Sequence, residues 1–131
     1  MPNRAIEFHD STFDGIRQQG NDLTLRFSAA YIHESSGEPG VDAGSGWVQE
    51  ALLHVIGGSV TGKIRELPCD LRNGALRLGG KLFEMIPIPL DYVGEIEISL
   101  EKDGSMQIAG TRVRLELIGT PSYVEEFPGH R

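Results

Sequence analysis

Most of this chain alternates hydrophobic and polar residues with the period of two that is typical of β-strands. Residues 22–33 show the longest such run. The apolar face of this predicted strand comprises Leu23, Leu25, Phe27, Ala29 and Tyr31. Ala30 and Ile32 make its far end apolar on both faces, which indicates that another element covers that end.

The polar pair Gly20 and Asn21 predicts a tight turn between this strand and the segment before it. A two-residue turn places Ile16 opposite Leu25, whereas a three-residue loop would place Arg17 there. Apolar side chains on one face of a sheet must meet, so the two-residue register is preferred.

Asn73 and Gly74 form the dipeptide most typical of a type I′ hairpin. A two-residue turn at this point pairs Leu71 with Leu76 on one face. The sequence therefore predicts a hairpin centred on residues 73–74.

The segment at residues 93–101 alternates regularly, and residues 102–104 follow it as a turn. A three-residue loop pairs Leu100 with Met106, again apolar against apolar. We predict a type I turn with Gly104 in the left-handed conformation and an adjacent G1 bulge.

Residues 34–46 contain four glycines and one proline, which forbid a helix and predict a flexible glycine-rich loop. The apolar segment that follows is ambiguous. Read as a strand, Trp47, Gln49 and Leu53 face one way; read as a helix at residues 46–56, the segment would end at Gly57. We prefer the strand because the neighbouring segments are all β-like.

Shorter features complete the pattern. A strand at residues 5–9 is interrupted by the polar residues 10–12, and Pro87 and Pro89 mark an edge strand or an extended crossing. Residues 120–131 form an extended tail. The predicted fold is all-β: one domain over residues 1–131, an antiparallel sandwich or flattened barrel of about nine or ten short strands. The alternative is an α+β fold with the one helix at residues 46–56.

Composition narrows the functional classes. The net charge of −7 makes nucleic acid an unfavourable partner. Cys69 is the only cysteine, which is typical of a reducing compartment. The first residues lack the apolar core of a secretory signal, and no apolar run has the length that spans a bilayer. These observations predict a cytoplasmic protein with no membrane or nucleic-acid partner.

Catalytic motifs are weak. Residues 57–64 have the spacing of a phosphate-binding loop, but Ile64 replaces the hydroxyl residue that would hold Mg²⁺. His9, Asp10 and Asp14 are candidate ligands for a metal ion near the first turn, since imidazole and carboxylate groups bind cations. We predict no catalytic residues and no cofactor.

The residues around the glycine-rich loop are the best candidates for binding, because loops on a rigid sheet often carry function. Tyr and Trp are favoured at interfaces, and carboxylates attract a basic partner. The candidate ligand- or partner-binding residues are Tyr31, His33, Glu34, Glu38, Asp42 and Trp47.

The start of the chain carries a family resemblance. Residues 6–11 (Ile-Glu-Phe-His-Asp-Ser), followed by Phe13, Ile16 and the strand at residues 23–27, resemble the beginning of several small uncharacterised bacterial β-rich proteins. Some of these are similar to immunity proteins that neutralise toxins. The resemblance covers about the first quarter of the chain and implies a non-enzymatic binding protein.

Three functions follow as hypotheses. The first is a domain that binds a protein partner in an immunity-like or regulatory role. The second is a β-barrel that binds a small ligand, and the third is a metal-dependent or hydrolytic enzyme. A homodimer through the region of Pro87 and Pro89 is a further partner hypothesis.

Overall fold

The computed structural model describes residues 2–128. The described residues form no helix and ten β-strands, so the all-β fold is confirmed. The strands are β1 (Asn3–Gln19), β2 (Asp22–Ser35), β3 (Gly44–Ile56), β4 (Ser59–Lys63), β5 (Cys69–Asp70), β6 (Asn73–Leu78), β7 (Lys81–Phe83), β8 (Met85–Ile88), β9 (Asp91–Glu101) and β10 (Ser105–Phe127).

All ten strands belong to one antiparallel sheet. Its main path runs β5-β1-β2-β3-β10-β9-β6-β7, while β4 pairs with β10 and β8 pairs with β1. Among residues 2–128 no helix is long and apolar enough to cross a membrane.

The sheet curls around one hydrophobic core. Side chains from both ends of the strand order, such as Phe13 of β1 and Leu76 of β6, are fully buried in the same cluster. The two ends also meet directly, because a Cβ added to Gly74 of β6 would lie 2.5 Å from Cγ of Phe8 in β1. A flat sheet could not bring these strands together, so the architecture is that of a flattened barrel.

The hairpin of β1 and β2 has the predicted register, with Ile16 opposite Leu25. The predicted interruption at residues 10–12 is wrong, because β1 continues through these residues with a large bulge. Glu7 pairs with Tyr31 and Thr12 pairs with Ala29, so residues 8–11 lie opposite Ala30 alone. A bulge lets a strand take up extra residues without ending its pairing.

A second irregularity lies in β2. The register between β2 and β3 shifts between Phe27 and Ala30. As a result Ala30 is fully buried, and Ala29, predicted to be inward, is only half-buried. Both faces of the far end are covered, as the apolar Ala30 and Ile32 predicted.

Residues 46–56 are strand and not helix. Gln49, Ala51, Leu53 and Val55 of β3 are buried, which is the strand phase predicted. The loop before β3 is shorter than the predicted 34–46, because Glu34 pairs with Ser45 and extends the hairpin. The connection therefore spans residues 36–43.

The predicted hairpin at Asn73 and Gly74 is wrong. Cys69 pairs with Phe13 of β1, and β6 pairs with β9 and β7 instead of the segment before it. The tight turn lies one strand later, at Gly79 and Gly80, where Leu78 pairs with Lys81. Both glycines have positive φ, 58° and 89°, as a type I′ turn requires.

The loop at residues 102–104 has the predicted length, and Leu100 lies opposite Met106. Gly104 does not have the predicted left-handed conformation, and the register shift of this hairpin falls between Gly110 and Arg112. The Lys102 amide donates to the Gly104 carbonyl at 3.0 Å, which closes the turn differently.

The predicted tail is part of the sheet as far as Phe127. Strand β10 continues past Gly119 and pairs again with β3, from Ser122 opposite Val48 to Phe127 opposite Gly44. Its last part therefore lies beside the residues that begin β3. The remainder of the predicted tail, residues 129–131, lies outside the described residues.

Candidate functional site

An open groove lies where the two ends of the curled sheet approach each other without pairing. Its volume is about 1320 Å³. The groove is bordered by the start of β1, the 36–43 loop, the start of β6, and the segment that joins β7 to β8. The strand order ends at β7, and β8 pairs only with β1 among residues 2–128.

The groove combines apolar walls with an excess of negative charge. Leu82, Met85 and Phe8 are among its apolar residues. Four carboxylates, Glu7, Glu38, Glu84 and Glu101, line it against one guanidinium, that of Arg4, together with His9 and His33. At neutral pH this composition attracts cations.

His33 lies under the groove and holds Glu7. Its Nε2 contacts a carboxylate oxygen of Glu7, and only 9% of the residue is exposed. A hydrogen bond to a carboxylate needs the proton on Nε2. The Nδ1 atom is buried without a hydrogen-bond partner among the described residues, and the ring stacks on Phe127 with 5.0 Å between centroids.

Tyr31 is the second buried side chain that reaches a surface carboxylate. Its hydroxyl donates to Oε2 of Glu125 at 2.7 Å. Burial, this hydrogen bond, and the charges of Glu125, Glu7 and Asp10 raise the pKa of Tyr31 well above its ordinary value. Glu7 lies opposite Tyr31 in the pairing of β1 with β2, Glu125 accepts its hydrogen bond, and donor atoms of Glu7 and Asp10 lie within 4.8 Å of each other. We call Glu7, Asp10 and Glu125 the acidic patch.

The predicted metal ligands separate in the structure. His9 and Asp10 lie together, with 3.2 Å between Nδ1 and Oδ2, and Glu7 joins them. One donor atom from each of these three residues lies within 4.8 Å of the others, so together they could hold a small cation. Asp14 points elsewhere: its carboxylate accepts from the Ser28 amide at 2.9 Å and contacts Arg26.

The predicted loop residues have different roles. Asp42 shapes the 36–43 loop, because its carboxylate accepts the Glu38 amide at 2.6 Å. Glu38 is exposed and lines the groove.

Glu34 and Trp47 lie on the other side of the sheet from Tyr31 and His33. Trp47 pairs with Ile32, and neighbouring residues of a strand point to opposite faces. Both residues border a small cleft of about 120 Å³. Trp47 is half-buried, and its Nε1 donates to Oγ of Ser45 at 2.8 Å.

Several residues of this site have no signal in the sequence. Glu7, Glu84, Glu101 and Glu125 are ordinary polar positions of alternating segments. Glu125 meets Tyr31 across a separation of 94 residues. Glu7 lies opposite Tyr31 because of the register between β1 and β2. The sequence could predict this pairing only if the bulge at residues 8–11 were already known.

The structure thus brings together two of the six predicted binding residues, Tyr31 and His33, which are both buried, although His33 also lines the groove. Glu38 lies on the same groove, and Glu34 and Trp47 lie on the opposite face. Comparison of the chain with protein-family models, with curated proteins and with solved structures finds no match.

Proposed function

We propose that this protein is a non-enzymatic binding domain that recognises a protein partner through the acidic patch, in an immunity-like or regulatory role. The observation that carries the proposal is that the buried side chains of Tyr31 and His33 contact two carboxylates at the surface. Tyr31 donates a hydrogen bond to Glu125, and His33 contacts Glu7. Fixed charges at a surface lose less side-chain entropy on binding than mobile ones do.

The charge of the patch selects a basic partner. Glu7 and Glu125 lie next to the Tyr31 side chain, and Asp10 lies next to Glu7. Complementary charge of this kind speeds association and disfavours acidic competitors. The overall charge of −7 acts in the same direction over longer distances.

The shape of the groove favours a macromolecular partner over an enclosed small ligand. Pockets for small molecules typically enclose about 300–1,000 Å³ and cover most of the ligand surface. The groove is larger, about 1320 Å³, and open, with carboxylates among its lining residues. An open acidic surface of this size suits a protein segment.

The proposal is tested by removing two charges of the patch. In the double variant Asp10→Asn, Glu125→Gln, both side chains keep an oxygen that can accept a hydrogen bond. A partner is first isolated on the immobilised wild-type protein and purified. We then expect the variant to bind it about tenfold more weakly, or about 1.4 kcal/mol, with a smaller dependence of Kd on NaCl. The measurement is surface plasmon resonance.

The matched control is Glu95→Gln, Glu97→Gln, which removes two exposed charges from β9. We expect this control to bind like the wild type. Equal weakening in both variants would show that affinity depends only on net charge. Unchanged binding of the patch variant would exclude the acidic patch as the recognition surface. Either result overturns the proposal.

A further inference from the structure

We propose that the groove binds an extended segment of the partner that carries lysine or arginine side chains, and that this segment pairs as an added strand with the free edge of β7. The inference rests on the proposed function and names the part of the partner that is recognised. It concerns the groove, whereas the acidic patch lies beside it and shares Glu7 with it.

The free edge of β7 supplies the main-chain groups. Strand β7 pairs with β6 along one side, from Leu76 opposite Phe83 to Leu78 opposite Lys81. It ends the strand order, so within residues 2–128 its other side has no strand partner. Exposed edges of this kind are where extended peptides add to a sheet.

The start of β6 offers a second unpaired stretch on the same groove. Strand β9 pairs with β6 from Asn73 onward, but β7 begins its pairing only at Leu76. The outer side of residues 73–75 therefore has no strand partner among residues 2–128, and these residues line the groove. This stretch lies on the side of β6 that β7 occupies from Leu76 onward, so a segment paired with the outer edge of β7 runs one strand spacing away from it, within the same groove.

The charges select the side chains of the segment. Glu38, Glu84 and Glu101 line the groove, and none of them has an ion-pair partner among residues 2–128. All three are exposed. Carboxylates that no internal cation neutralises attract a ligand with positive side chains.

The apolar walls explain why a peptide fits better than a small cation. Leu82 and Val41 both line the groove, and they are 48% and 43% exposed. In an extended segment side chains alternate between two directions. One set of side chains can then cover the apolar wall while the other reaches the carboxylates, and the stems of lysine add further apolar contact.

The test uses a fluorescein-labelled ten-residue peptide in which lysine alternates with valine and threonine. Fluorescence anisotropy measures its Kd for the full chain, and ¹⁵N–¹H spectra locate its binding. We expect amide shifts in β7, and smaller shifts at residues 73–75, which line the groove without pairing with the peptide. A peptide with glutamate at each lysine position, and one N-methylated at every second residue so that it cannot donate to an edge, should each bind at least tenfold more weakly.

The protein variant Glu84→Gln, Glu101→Gln should weaken the lysine peptide about tenfold, and the control Glu95→Gln, Glu97→Gln less than twofold. Equal affinity of the N-methylated peptide, equal competition by free lysine, or amide shifts away from the groove would each overturn the inference. If the lysine peptide does not bind, while substitution of Asp10 and Glu125 still weakens binding of the native partner, the inference fails and the proposed function stands. If the native partner binds the Asp10→Asn, Glu125→Gln variant as tightly as the wild type, the proposed function fails, whatever the peptide does.

Discussion

Tyr31 and His33 are buried but act on the surface. Their hydroxyl and imidazole groups each reach a carboxylate, of Glu125 and Glu7 respectively, that solvent also contacts. An aromatic side chain has few rotatable bonds, so it fixes the position of its polar atom at a small entropic cost. We infer that these two residues position Glu125 and Glu7 of the acidic patch; Tyr31 does not line the groove, and His33 does so with only 9% of the residue exposed.

The phenol of Tyr31 should make stability depend on pH in the alkaline range. Burial, the hydrogen bond to Glu125 and nearby carboxylates raise its pKa in the folded protein, whereas the unfolded chain releases this proton near pH 10. The stabilisation is therefore complete below about pH 10 and is lost as pH rises through the folded pKa. Urea unfolding from pH 9 to 11 should show a steeper loss in the wild type than in Tyr31→Phe, by at most about 1.4 kcal/mol per pH unit.

At neutral pH the same variant should lose about 1 kcal/mol of unfolding free energy, the typical value of one hydrogen bond. Tyr92→Phe is the matched control, since none of the side-chain hydrogen bonds within residues 2–128 involves the Tyr92 hydroxyl. Identical alkaline profiles for the wild type and Tyr31→Phe would show that the phenol does not cause this pH dependence.

At the scale of the elements, turn chemistry decided the hairpins only where the flanking strands were free to pair. Gly20 and Asn21 join neighbours, and their predicted register is correct. Asn73 and Gly74 have an equally suitable sequence, but the Leu71 amide donates to Ser11 and the Arg72 amide donates to Glu101. Those amides are therefore engaged by β1 and by the end of β9.

The turn at Gly79 and Gly80 can be tested by substitution. Gly80 has a φ of 89°, and the space that a Cβ would occupy there is open, so a side chain costs backbone energy alone. Gly80→Ala should destabilise the protein by about 1–2 kcal/mol, because L-residues disfavour this region. Gly80→Asn should cost less and Gly80→Val more, as measured by urea unfolding.

Gly74 provides the comparison for that series. Gly74 is not among the glycines with positive φ, and a Cβ there would meet Phe8. Gly74→Asn should therefore be worse than Gly80→Asn, since its cost is steric. The reverse order would favour the hairpin at residues 73–74 that the sequence predicted.

At the scale of the whole molecule, the sheet is most continuous in its middle and least so at its ends. Strands β2 and β3 each have a partner on both sides over most of their length, whereas β5 and β7 contain two and three residues. Opening a strand exposes its hydrogen bonds and its buried side chains together. We therefore expect the groove to lie at the part of the molecule that opens most easily.

Hydrogen exchange should reveal this gradient. Amides of β2, of β3 and of β10 where it pairs with β3 should exchange slowest, and those of β5 and β7 fastest. We expect the opening free energies to differ by roughly 3 kcal/mol or more. NMR exchange in the full chain measures this, and uniform protection across the sheet would contradict the expectation that its ends open separately.

The sequence by itself determined the all-β class, the inward faces of most strands, and the registers at Ile16 with Leu25 and at Leu100 with Met106. These follow from short-range rules, because alternation selects a face and a tight turn selects a register. The pattern of β3 itself fitted a strand or a helix, and the β-like segments around it correctly favoured the strand.

Apart from these two hairpins, only the tertiary structure decided which strands are neighbours. An alternating strand satisfies its apolar face beside any partner of the same phase, so the pattern of β6 fits β9 as well as it fits the segment before it. The bulge at residues 8–11, the contact of Tyr31 with Glu125, and the groove between the unpaired ends all depend on that choice. For this reason the fold class could be predicted from the sequence, whereas most of the site could not.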